Sequence, residues 1–410
     1  GLAAAAGAAE EDVSALRAEI DALRSEYEAR LAALERRLDT LTAPGPAVGP
    51  APLVAEGGDE LAALRAAAAA AAPPAPPAAP PAASEAAVGH ERNLSLLNPE
   101  ISVTGVFLAR AGDAEREEFT AEEFELDLQS ALDPFSRMRL TLALAGEELE
   151  VEEGWVRYSA LPGGLDLLAG RFRQRFGALN RQHLHALPQV DYPLPLQLYL
   201  GEEGLAQTGL SFSWLVPRPW SDAAEVTLEL TDGDGEAFAG EDFRQLSLLG
   251  HVKSYWDVSP ATFFEVGLSG VAGEGPEGDD RRIWGTDLTW HWQPPARARY
   301  RELTWRGELL LAQRDLAGGG RADAWGGYSY LEGLLGENLS AGLRVDAAEH
   351  PDDPELRLWS VAPYVTWWQS EYVRLRAELR HLDDDARQEA ENRLLLQLTW
   401  AAGPHKHETY

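Results

Sequence analysis

Cysteine is missing from this sequence altogether, and lysine nearly so, with Lys253 and Lys406 its only occurrences. The first absence fits an oxidising compartment and removes thiolates from any metal site. Positive charge is scarce throughout, with 35 Lys and Arg against 67 Asp and Glu and a formal net charge of −32. Nucleic acid needs a basic footprint, so that partner class is excluded. No apolar run approaches the roughly 20 residues of a membrane-crossing helix. The alanine run around Ala66–Ala72 ends at Pro73-Pro74. No Gly-x-Ser-x-Gly elbow or similar nucleophile motif occurs, which points away from an enzyme. A leader is also lacking; Gly1-Leu2-Ala3-Ala4-Ala5-Ala6 reads as the remnant of cleavage at a small-residue site, so the expectation is an exported chain.

What is present falls into two parts. Residues 1–89 are rich in Ala, Glu, Leu and Pro, with Tyr27 their one aromatic. After a disordered start (1–12), Val13, Leu16, Ile20, Leu23 and Tyr27 follow the 3,4 spacing of a coiled-coil seam. Leu31, Leu34, Leu38 and Leu41 continue it beyond a stutter. The expectation is a coiled coil over 13–42, about 45 Å long at ~1.5 Å per residue, with an amphipathic helix packed on the second part as the alternative. The seam does not choose between two and three strands. An Ala/Pro-rich linker follows (43–93), where Pro73-Pro74-Ala75-Pro76-Pro77 favours a semi-rigid extended chain.

Residues 94–410 hold all 13 tryptophans and alternate in polarity with period two. Leu394, Leu396, Leu398 and Trp400 share one strand face, while Arg393, Gln397 and Thr399 share the other. About 16 strands are expected, starting near residues 99, 119, 134, 149, 164, 206, 223, 242, 259, 280, 298, 321, 337, 355, 372 and 389. Every second connection reads as tight, as in Leu132-Asp133-Pro134, Pro162-Gly163, Pro294-Pro295 and Gly336-Glu337. The intervening ones read as longer and acidic, as in Asp232-Gly233-Asp234-Gly235 and Asp383-Asp384-Asp385. That parity implies an all-β transmembrane barrel of antiparallel strands in a bacterial outer membrane, apolar outside and polar within, with both termini in the periplasm.

Nine tryptophans (Trp155, Trp214, Trp220, Trp256, Trp290, Trp292, Trp367, Trp368 and Trp400) fall near the tight-turn ends, as in an interfacial aromatic girdle. Strands one to five are poor in such anchors and carry Ser102, Thr104 and Gly105, so they are expected to face neighbouring protomers. Glu153 breaks the pattern by sharing parity with Leu149, Val151 and Trp155. Either a bulge near Gly154 changes the parity, or Glu153 is buried at a subunit contact.

By parity, Arg137, Arg139, Arg306, Arg344, Arg374, Arg376 and Arg380 face the lumen, together with Glu123, Glu125, Asp127, Glu225, Glu229, Glu302 and Glu378. Both signs occur, so a mutually paired transverse field is expected before an anion ladder. One connection, 173–205, is far longer than the rest, and such loops are usually functional. It supplies Arg173, Arg175, Arg181, His183, His185 and Asp191 as loop candidates. Two His-X-His pairs, His183/His185 and His405/His407, can each turn both imidazoles towards one Zn²⁺, with Asp191 and Glu202 as possible partners of the first. No other cofactor is expected.

The segment Gly164 to Asn180, with Ala169-Gly170-Arg171-Phe172 and Phe176-Gly177, resembles the phosphate-selective porin O and P family. The wider run from His183-Leu184-His185 to Trp214 is similar to barrels labelled zinc-regulated TonB-dependent outer membrane receptor, as is the ending Gly403-Pro404-His405-Lys406-His407-Glu408-Thr409-Tyr410. The receptor label fits poorly, because such a transporter needs a plug and about 22 strands. The resemblance implies a porin whose third long loop enters the lumen, with membrane lipid and two further copies of the chain as partners. A tether reaching the cell wall through the coiled coil and metal-linked uptake are the alternatives.

Overall fold

The computed structural model describes residues 99–410 except 114–116, 146–147, 218, 240–244, 317–318, 388–389 and 404–410. The expected coiled coil (13–42), the segments around it and the tail pair His405/His407 lie outside the described residues. The strands are β1 Glu100–Gly112, β2 Glu118–Ala131, β3 Ser136–Ala145, β4 Glu148–Leu161, β5 Leu165–Arg173, β6 Ala206–Leu215, β7 Ala223–Thr231 and β8 Ser247–Ser259. Then come β9 Thr262–Glu274, β10 Asp280–Trp292, β11 Glu302–Asp315, β12 Arg321–Leu334, β13 Leu339–Glu349, β14 Arg357–Ser370, β15 Val373–Asp384 and β16 Glu391–Ala402. Each pairs antiparallel with its sequence neighbours, and β1 pairs with β16 from Val103↔Ala402 to Gly112↔Arg393. The closed 16-stranded barrel therefore has no free edge, which satisfies every ladder without water.

The polarity is inverted relative to a soluble barrel. Leu375, Ala377 and Leu379 of β15 are exposed, whereas Arg374, Arg376, Glu378 and Arg380 between them are buried. The same holds on β14, where Trp359, Val365 and Trp367 face out while Ser360, Tyr364 and Thr366 face in. Exposed leucines and aromatics extend around the wall, from Phe107 through Leu228 and Leu268 to Leu396. Such a surface is stable only against hydrocarbon.

Connection lengths follow the expected parity with three departures, the first being the link 216–222, where Pro217 and Pro219 stand in a seven-residue connection rather than a tight turn. Residues 293–301 form a longer link with a 3₁₀ turn at Pro295–Arg297, so Pro294-Pro295 is no tight turn and β11 starts at Glu302 rather than near 298. On the opposite rim β3 and β4 are joined by 146–147 alone. Tryptophan placement also needs correction. Trp214, Trp220, Trp305 and Trp367 are exposed near the short-turn rim, and Trp284, Trp325 and Trp359 form a second group towards the other rim. Trp155, however, is buried, and Trp368 stacks on Arg374 from inside at 5.2 Å. Ser102 and Thr104 are buried inward residues, so they cannot face a neighbouring protomer; Gly105 lies outward beneath the Trp400 indole.

Register shifts occur in β2 and β4, and the second explains Glu153. Val106 pairs with Glu123 and Phe107 with Ala121, so Glu122 is an extra residue in β2. Thr141 pairs with Glu153 and Leu142 with Val151, so Glu152 is the extra residue in β4. A bulge inverts parity on one side of itself. Each therefore turns two consecutive glutamates inward, and the β4 bulge carries Trp155 inward and leaves Val156 and Tyr158 exposed. Glu153 is thus a lumen residue, and the bulge lies at Glu152 rather than Gly154.

Candidate functional site: the lumen and its loop

The loop 174–205 is folded into the barrel. Buried Asn180 closes its base: its amide donates to the carbonyls of Gln174 (2.8 Å) and Leu205 (3.0 Å) and accepts from Leu205 N (2.7 Å). Beyond it come a 3₁₀ turn, Leu184–Ala186, and a short helix, α1 Leu194–Leu200, ended by Gly201. The loop has an apolar side and a polar one. Phe176, Leu179, Leu187, Leu196, Leu200 and Leu205 pack dry against inward residues of β8 to β15 such as Leu249, Ile283, Leu310 and Tyr328. The wall is recessed where they land. A Cβ on Gly285 would stand 2.8 Å from the Phe176 ring, and one on Gly326 would stand 2.9 Å from Pro195 and Tyr199.

Polar anchors hold the loop at its edges. Glu308 accepts from the backbone of Ala178 (2.7 Å) and Leu179 (3.1 Å) and from the Tyr328 hydroxyl (2.6 Å). The inward arginines of β13 and β15 grip the far end. Arg376 donates to the carbonyls of Leu187 and Gln189, and Arg374 to that of His185. Arg380 makes a two-pronged pair with Asp191 at 2.6 and 2.7 Å, and Arg344 reaches the same residue at 3.0 Å and its carbonyl at 2.8 Å. Burial in the barrel works against the Asp191 charge, but Arg380 and then Arg344 outweigh it and hold the carboxyl down to about 2. Its side chain remains 31% exposed to a cavity, so water screens part of that attraction.

Facing the polar side of the loop, β2 to β5 carry an acidic cluster. Arg139 pairs with Asp127 (2.7 Å) and Glu153 (3.0 Å), and Arg173 with Glu152 (3.0 Å). His183 lies between Glu152 (Nδ1, 2.7 Å) and Glu153 (Nε2, 3.1 Å), and its ring stacks on His185 with centroids 5.6 Å apart. Two cavities flank the cluster. Glu123, Glu152, Arg173 and Asp191 line one of about 620 Å³ that also reaches Glu122, Glu150 and Glu203. Arg139, Arg175, Arg181 and His183 line another of about 760 Å³, together with Glu225, Glu302 and Arg306.

The sequence-derived candidates therefore separate. Arg344, Arg374, Arg376 and Arg380 point inward, but they are covered by the loop and serve as its clamps rather than as an open ladder of positive charge. Arg306 lines the second cavity, where it donates to Thr289 (2.9 Å), and Arg137 is exposed on the inward face near the short-turn rim. Glu225 pairs with Arg175, Glu229 accepts from Ser211 (2.9 Å), and Glu378 receives Val190 N (3.2 Å) and Arg380. Asp191 serves Arg344 and Arg380 rather than a His183/His185 metal site. Glu152, Glu308 and Asn180 were not singled out from the sequence. For Glu152 a signal existed, since adjacent glutamates in an alternating strand imply a bulge.

No family model matches the chain. Over 130 residues it is 32% identical to an uncharacterized protein of Aquifex aeolicus, a stretch covering 32% of this chain and 27% of that one. The chain thus spans about a quarter of the length of that relative. Among solved structures, OprB of Pseudomonas putida superposes with a TM-score of 0.56 at 11% identity, covering 77% of this chain and 97% of that one. An anion-selective porin from Comamonas acidovorans gives 0.53 at 11% over 74% and 98%. A loop-deletion form of OmpT, an outer membrane protein of Vibrio cholerae, gives 0.53 at 9% over 74% and 98%. The fold is that of the porins. At such identities the porin likeness reaches the barrel and its topology, and the chemistry of the lumen has to be argued from this chain's own residues.

Proposed function

We propose that this protein is an outer-membrane porin that lets small hydrophilic solutes or ions diffuse passively, works as a trimer and keeps both termini in the periplasm. The observation that carries the reading is the inverted barrel: an apolar outer wall encloses a charged lumen, with cavities on either side of an inserted loop. Strands of 9 to 14 residues suit a tilted crossing of the hydrocarbon layer. A solute passing between the cavities meets Arg139, Glu152, Glu153, Arg173 and His183. The charges there are mutually paired, as are Lys253 and Glu265 (3.0 Å), which supports a field that orients solutes over strong selection of one ion sign. The trimer rests on β1 to β4, whose outward residues include Phe107, Phe119, Leu149 and Val156 and no tryptophan save Trp400 of β16 beside them.

Purified protein in a planar bilayer is expected to give discrete ohmic steps, in multiples of three for a trimer. Silent membranes at high protein load would overturn the reading. Orientation of the wall has its own check. In brominated lipid, Trp367→Phe should remove quenchable emission and Trp155→Phe should leave it unchanged; the reverse would return Trp155 to the lipid face.

A further inference from the structure

We propose that Glu123, Glu125 and His185 bind one divalent transition-metal cation of the zinc class, and that this cation ties the lumen loop to β2. The three side chains are buried and offer ligand atoms that all lie within 4.8 Å of one another. His185 Nδ1 stands 3.2 Å from Glu125 Oε2. A second group shares Glu125 and adds Glu152 and His183. There the charges are already answered, because Arg173 holds Glu152, Arg139 holds Glu153, and His183 lies between the two glutamates.

Glu123 and Glu125 differ. Among the described residues neither has an Arg or Lys within ion-pairing distance, and the charged contacts of Glu125 are His185 and, at 3.4 Å, His183. Glu123 Oε1 and Glu125 Oε1 have no hydrogen-bond donor, and Glu125 Oε2 faces only the imidazoles of His185 and His183, although the two glutamates are only 6% and 2% exposed. Buried carboxylate oxygens without donors are costly. A dication supplies what the missing donors do not.

The donor set selects the ion. One imidazole with carboxylates and no thiolate suits Zn²⁺, Co²⁺ or Ni²⁺, whereas Ca²⁺ and Mg²⁺ take oxygen ligands alone. Three protein ligands leave a coordination position for water. The ligands are also held in place from behind. Arg374 grips the His185 carbonyl, and the bulge at Glu122 sets the inward parity of Glu123 and Glu125. An approach exists as well, since Glu123 lines the acidic cavity of about 620 Å³ beside Glu118, Glu122 and Glu150. Negative walls of this kind raise the local concentration of cations. The site does not depend on whether the barrel conducts.

The test uses the full chain in detergent, in an H405A/H407A background that removes the tail imidazoles. After zinc loading and dialysis, elemental analysis should find about one Zn²⁺ per chain, and Co²⁺ should give a visible d–d band. In that background E125Q and H185Q should each lose the band and bring zinc to the level of a metal-free control. Zinc should also slow tryptic cleavage at Arg181 in the parent and leave the rate unchanged in E125Q. Folding is read from heat-modifiable migration on a gel. Should E125Q fail to fold, E123Q, altered at the cavity rim, is expected to bind at least tenfold more weakly. Background zinc in the parent, or undiminished zinc in folded E125Q, E123Q or H185Q, overturns the proposal; bilayer conductance is measured separately and stands whichever way the metal result falls.

Discussion

Replacing Asp191 with Ala is expected to release the lumen loop while leaving the barrel folded. Asp191 is the point at which two buried guanidiniums converge, and Arg344 is fully enclosed. Breaking a buried pair by removing one partner costs about 3–5 kcal/mol, because the remaining charge is left uncompensated. Asp346 and Glu378 still pair with Arg344 and Arg380, which places the effect at the lower end. Even about 3 kcal/mol shifts the ratio of docked to released loop by roughly two powers of ten. Single-channel recordings should show larger, noisier steps for D191A, and trypsin should cut at Arg173, Arg175 or Arg181, which a docked loop protects. Asp191→Asn keeps an acceptor for one arginine and should fall between D191A and the parent. Unchanged conductance and unchanged protection in folded D191A would remove the clamp from the account.

Phe176→Ala is expected to act with similar force on the other side of the loop. The ring is fully buried in the dry cluster and rests on Gly285. Truncating a buried phenylalanine costs about 3–5 kcal/mol through lost transfer energy and the cavity left behind. The cost falls on docking, because the barrel's hydrogen-bonded ladders do not pass through the loop. Gly285→Leu attacks the same contact from the wall, since even a Cβ there presses on the ring. If the recess is the seat of Phe176, each single variant should speed tryptic cleavage of the loop. The double variant F176A/G285L should then be milder than the sum of the two, as coupled neighbours are. Strict additivity would mean that the two residues do not meet.

Much of the barrel was legible in the sequence, because a strand writes its orientation locally. Side chains alternate with period two, so Leu375, Ala377 and Leu379 against Arg374, Arg376 and Glu378 state which residues share a face without reference to any other strand. Tight turns and a long connection are equally local, and the 16 strands and the length of the β5–β6 connection followed from them. The limits were local too. Pro294-Pro295 looks like a tight turn but opens a longer link, because nothing in a Pro-Pro pair says how far on pairing resumes.

The lumen was a different matter. Whether Glu152 or Gly154 absorbs the irregularity in β4 depends on the register that β3 imposes, and a shift of one residue reverses the side on which Trp155 ends. Inward parity of Arg344, Arg374, Arg376 and Arg380 was readable, yet their work was not, since parity says nothing about what fills the space they point into. The loop's carbonyls and Asp191 arrive there from more than 150 residues away in the chain. Sequence alternation therefore settled which side chains enter the barrel. Only the folded chain decided which of them meet water and which meet the loop, because that choice is made by contacts between segments with no local trace of each other.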